Sequence, residues 1–129
     1  MILKNAKYNL QTREITETEA WDILGGVLDC CRRHGIAEVA LIYGYDWSVG
    51  DKSWADQPVS LADVHDHIKA EEERERGCLG NDDLYIQING EVQVLFCHHS
   101  EVHLQYDQDD LPFAQELRSL LVEKVGLKR

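Results

Sequence analysis

The chain is short of positive charge. Its 129 residues carry 13 lysines and arginines against 24 aspartates and glutamates, a formal net charge of −11. Phosphate surfaces reward cations, so this balance argues against DNA, RNA or anionic lipid as a partner. Long apolar runs are missing too. No stretch approaches the ~20 apolar residues that a membrane span needs. The opening "MILKNAKYNL" breaks its apolar start with lysines and shows no small-residue cleavage site. No C-x-x-C spacing occurs among Cys30, Cys31, Cys78 and Cys97. Reduced thiols in a cytoplasmic protein are therefore expected rather than a disulfide framework. There is no phosphate-cradling glycine loop, no G-x-S-x-G and no H-E-x-x-H. No enzyme class is marked by a local motif, and no cofactor is expected. Repeats, low-complexity tracts and domain-dividing linkers are absent as well. One compact domain over residues 1–129 is the expectation, and its 43% hydrophobic content suffices for a core.

What is present reads as alternating helix and strand. Residues 5–11 alternate through Ala6, Tyr8 and Leu10, as in a short edge strand. "TETEAWDILGGVLDCCRRHG" then predicts a helix. Thr16 and Glu19 have capping-box spacing, and Trp21, Leu24, Leu28 and Cys31 recur at helical intervals. Arg32 and Arg33 suit its negative end, and Gly35 can close it. Gly25 and Gly26 lower helix propensity, either as tolerated weak points or as marks of close approach by a neighbour. "IAEVALIYG" predicts a buried strand with Val39, Leu41 and Tyr43 on one face. "GYDWSVGDKSWADQP" reads as a loop. A second helix is expected from Ser60, with Asp63 at capping-box distance and Leu61, Val64 and Ile68 as its buried stripe. A last helix begins near Asp109 or Asp110, takes Pro112 into its first turn, and buries Phe113, Leu117, Leu120 and Leu121.

Between Asp83 and Asp107 the period becomes two. Leu84, Ile86, Ile88, Val92, Val94, Phe96, Val102, Leu104 and Tyr106 hold the even positions, while most odd positions are polar. Alternation this long, with turn signals at "ING" and "HHS", predicts a three-stranded antiparallel meander. Keeping even residues opposite even residues requires loops of odd length. Ile88-Asn89-Gly90 and His98-His99-Ser100 are the expected loops, with Gly90 left-handed. The fold class is therefore α+β: a largely antiparallel sheet including this C-terminal meander, with helices packed on one face.

The meander also carries the densest cluster of reactive side chains. Parity places Cys97 opposite Glu101 and Leu95 opposite His103, so Cys97, Glu101 and His103 share the polar face. His98 and His99 belong to the turn. Cys97, His99, Glu101 and His103 are competent metal ligands, although no classical ligand spacing is present. Cys97 beside His103 also imitates a nucleophile and base. Against both stands a plain polar sheet face. Asp82 and Asp83 read either as cation ligands or as an ordinary strand start after a turn. The loop after the first long strand offers Tyr45, Asp46, Trp47, Asp51, Trp54 and Asp56. Exposed aromatics beside acids suit anchoring and steering of a protein partner. The alternative is that both tryptophans fold back over a core edge.

"LGNDDLYIQI" followed by "LFCHHSEVHLQYD" resembles a pattern in small acidic bacterial immunity proteins of toxin–immunity systems, including contact-dependent inhibition and polymorphic toxins. The resemblance covers about residues 77–107 and brings no catalytic residues. Such proteins do not share one fold. It implies a non-enzymatic, cytoplasmic inhibitor that occludes a cognate toxin domain stoichiometrically, and the acidity here suggests a basic one. Glu101 and His103 form a second candidate contact patch beside the aromatic loop. Two other readings stand beside it. One is a metal-binding protein or metal-dependent enzyme using Cys97, His99, Glu101 and His103. The other is a structural subunit of a homo-oligomer or larger complex.

Overall fold

A computed structural model describes residues 6–43, 57–73, 83–108 and 110–126. Within them run β1 (Tyr8–Gln11), α1 (Glu17–Arg33), β2 (Glu38–Tyr43), β3 (Gln57–Ser60), a 3-10 turn (Leu61–Asp63), α2 (Val64–Glu73), β4 (Leu84–Ile88), β5 (Val92–Phe96), β6 (Val102–Tyr106) and α3 (Pro112–Lys124). The six strands form one antiparallel sheet in the order β1-β6-β5-β4-β2-β3. This is the expected α+β class, with the C-terminal meander at its centre.

Parity governs the sheet. Ile86 pairs with Val94 and Leu41, and Leu104 pairs with Val94 and Leu10. One face is thereby apolar from β1 to β3, and all three helices share a single buried cluster with it. Ile23, Leu24 and Val27 come from α1, Val64 and Ile68 from α2, and Ala114, Leu117 and Leu121 from α3.

The hairpin at His98-His99-Ser100 is as expected. Cys97 N–H donates to the Glu101 carbonyl, Leu95 pairs with His103, and Ser100 takes φ 63°. The other hairpin differs by one position. Ile88 pairs with Val92, so its loop is Asn89-Gly90-Glu91. Asn89 (φ 55°) and Gly90 (φ 68°) are both left-handed. Asparagine tolerates that region, which lets the strand keep Ile88. The loop stays odd, so the faces do not mix.

Two further expectations are corrected. The segment read as a loop ends in β3, an edge strand in which Pro58 pairs with Ala40. Proline removes one ladder donor, which an edge strand tolerates. Ser60 belongs to that strand and makes no side-chain cap, so the Ser60/Asp63 capping box does not form. Leu61 N–H instead donates to Ala37, and a single 3-10 turn leads into α2.

The first helix forms as its sequence dictates. Thr16 accepts from Glu19 N–H, and the Glu19 carboxylate accepts from Thr16 N–H. Gly35 follows at φ 72°. The two glycines inside the helix have different reasons. A Cβ on Gly26 would stand 2.9 Å from Leu120 Cδ1 of α3, whereas one on Gly25 would meet nothing within 4 Å. Gly26 therefore marks the close approach of α3. Gly25→Ala is expected to raise stability by about 0.5–1 kcal/mol through helix propensity. Gly26→Val is expected to lower it by about 1–3 kcal/mol through overpacking. Urea titration of the two variants checks the pair, and equal effects would contradict it.

Candidate functional site

The face opposite the helices is polar and closely engaged. Gln87, Gln93 and Gln105 stand side by side across β4, β5 and β6. Gln87 Nε2 donates to Gln93 Oε1 at 3.0 Å, and Gln93 Nε2 donates to Gln105 Oε1. Gln93 is 0% exposed. A fully enclosed amide needs its hydrogen bonds supplied by protein, and this row supplies them.

Toward the end of the same face lie Cys97, Glu101 and His103. The hairpin puts Cys97 and Glu101 opposite each other, and His103 follows two residues along β6. One ligating atom from each lies within 4.8 Å of the other two. Glu101 Oε1 is 3.9 Å from His103 Nε2 and accepts from Gln11 Nε2 at 2.6 Å. Gln11 reaches it because β1 pairs with β6, Gln11 opposite His103. Cys97 is 5% and Glu101 9% exposed, so the cluster is mostly enclosed. Burial first, then the neighbouring Asp83 and Cys97, push the Tyr85 phenol up.

The turn histidines have other tasks. His99 is exposed, and its backbone N–H donates to Cys97 Sγ at 3.3 Å. Its ring is outside the three-residue cluster. His98 is bound rather than free: Asp83 Oδ1 accepts from His98 N–H at 2.7 Å and lies 2.9 Å from His98 Nδ1. Asp83 thus clamps the hairpin tip. Asp82 lies outside the described residues, as do Tyr45, Asp46, Trp47, Asp51, Trp54, Asp56 and Cys78. His65 stays in the helical layer, its ring 5.1 Å from that of Trp21.

A second cluster went unread in the sequence. Cys30 and His34 at the end of α1 meet Glu116 of α3. His34 Nε2 lies 3.1 Å from Glu116 Oε1, and the Arg33 guanidinium pairs with Glu116 Oε2. The hydrogen bond from Cys30, then those from Arg33 and His34, hold the Glu116 carboxyl down to about 2. Burial, then the Glu116 carboxylate, pushes the Cys30 thiol up to about 12, so it stays protonated and donates. This is a hydrogen-bonded tie between two helices. The four-residue spacing of Cys30 and His34 was its only local sign.

Glu19 behaves similarly, held down to about 2 by Arg13 and then by Thr16 N–H. A carboxylate depressed by folding contributes stability that is present above its ordinary value near 4.5 and lost as pH falls toward about 2. Wild-type stability is therefore expected to fall through that window, and Glu116→Gln is expected to flatten part of the slope. Urea midpoints measured from pH 5 to pH 2 check this; an unchanged slope would contradict it.

One depression, of about 210 Å3, is lined by residues including His34, Ile88, Leu111 and Phe113. It is smaller than the ~300–1,000 Å3 of ordinary small-molecule sites. Among the described residues no helix is long and apolar enough to cross a membrane. Comparison with known protein families, curated proteins and solved structures finds no match to the chain.

Proposed function

We propose that this protein is a non-enzymatic, cytoplasmic binding protein that neutralises a basic toxin domain by occluding it stoichiometrically. The supporting observation is how its charges are spent. Arg13, Arg32, Arg33, Lys69 and Lys124 each lie in an ion pair with an acid of this chain. Glu14, Glu17, Glu38, Asp63, Asp66, Glu73, Glu91, Asp107, Asp110 and Glu123 are all exposed. Among the described residues, these five cations are paired within the chain, while the ten carboxylates face solvent. Such a field speeds capture of a basic protein and repels nucleic acid.

Apolar docking has less support. Val122 is the one large hydrophobic side chain exposed among the described residues. Anchoring then falls to the sequence "YDWSVGDKSWAD", whose aromatics and acids combine contact area with steering. Glu101 and His103, mostly enclosed, would add a small second patch. The resemblance of residues 77–107 to immunity proteins supplies the kind of partner.

The test uses the C-terminal domain of any large protein encoded immediately upstream as the binding partner. Trp47→Ala and Trp54→Ala are each expected to weaken the complex by ~30-fold or more, as for central aromatic anchors, with circular dichroism unchanged. Full binding by both variants would remove the loop from the interface. Unfolding of both would mean that the tryptophans cover the core.

A further inference from the structure

We propose that Cys97, Glu101 and His103 form a zinc-binding site carried by the β5–β6 hairpin. This inference does not rest on the partner-binding reading, although Glu101 and His103 figure in both. A thiolate, an imidazole and a carboxylate together suit zinc, and three protein ligands leave the fourth position for water or another donor.

The geometry is near what coordination needs. Bond lengths of ~2.3 Å to sulfur and ~2.0–2.2 Å to nitrogen and oxygen place the ligand atoms of a tetrahedral zinc about 3.3–3.6 Å apart. Here Glu101 Oε1 and His103 Nε2 are 3.9 Å apart, and all three ligand atoms fall within 4.8 Å. Closing the shell takes about an ångström of side-chain movement. The backbone beneath is held by the Cys97-to-Glu101 bond and the Leu95–His103 pairing.

The surroundings also suit a metal. His99 N–H donates to Cys97 Sγ at 3.3 Å, as it would to a metal-bound thiolate. Gln11 Nε2 donates to Glu101 Oε1 and orients the carboxylate. Outer partners of this kind fix ligand orientation and tune affinity. The cluster of Cys30, His34 and Glu116 is a poorer candidate. Its carboxylate is already engaged by Arg33 and His34. Metal binding there would have to displace a guanidinium.

The test titrates the full chain, free of any histidine tag and stripped with chelator, with zinc and with cobalt as a spectroscopic substitute. One equivalent of metal is expected, with a thiolate-to-cobalt charge-transfer band. Cys97→Ser is expected to abolish that band, and His103→Ala to weaken zinc binding at least tenfold. Gln11→Ala is expected to weaken it by ~10-fold or more. Cys30→Ser and the double variant His98→Ala/His99→Ala are expected to keep both band and affinity. If Cys97→Ser does not fold, the His103→Ala and Gln11→Ala affinities decide the matter. No uptake by the wild-type chain would overturn the site, as would a band that persists in Cys97→Ser. Loss of binding in Cys30→Ser with His103→Ala unaffected would overturn it too, moving the metal to the helix tie.

Discussion

Phe96→Ala is expected to destabilise the protein by about 3–5 kcal/mol, the usual cost of emptying an enclosed aromatic site. Phe96 is 1% exposed and ends β5, between two interior neighbours, paired with Leu84 of β4 on one side and Val102 of β6 on the other. Both neighbours are 0% exposed, so water does not refill the space cheaply. Whole-domain stability is ordinarily about 5–15 kcal/mol, so this single change removes a large share of it. Urea titration should show a lower midpoint with an unchanged slope. A loss below about 1 kcal/mol would mean that the helices do not seal this face.

Gln93→Leu is the second. Leucine is more apolar and of similar volume, so transfer from water alone would favour it. Hydrogen bonding decides the other way. Gln93 accepts from Gln87 Nε2 and donates to Gln105 Oε1 while wholly enclosed. Leucine severs that row and leaves the Gln87 amide, 7% exposed, without this acceptor. Losing a hydrogen bond between enclosed amides costs about 1–3 kcal/mol, and the expected loss lies in that range. Gln105 is less enclosed and can turn to water, so most of the cost falls on Gln87. Equal or greater stability of Gln93→Leu would show that the row is not what holds the polar face together.

How well the sequence announced these features depended on how local their causes were. The meander was legible because period two and loop parity are local, and together they fix which residues face each other. That same parity places Cys97, Glu101 and His103 on one face. The one-residue error at Asn89 arose because asparagine, like glycine, accepts a left-handed backbone. β3 escaped because Pro58 weakens a strand signal already short. Non-local packing hid the rest. Gln11 reaches Glu101 only through the pairing of β1 with β6, 90 residues apart in the chain. The tie of Cys30, His34 and Glu116 depends on how α3 lies across α1, and Gly26 against Leu120 records that approach.

Neutralisation of a basic toxin domain by binding is the proposed function. The most direct measurement is growth of cells expressing the C-terminal domain encoded immediately upstream, with and without this chain. The domain alone is expected to arrest growth. Co-expression should restore growth and yield a one-to-one complex whose association rate falls steeply with added salt. Arrested growth despite co-expression, with no complex recovered at low salt, would contradict it.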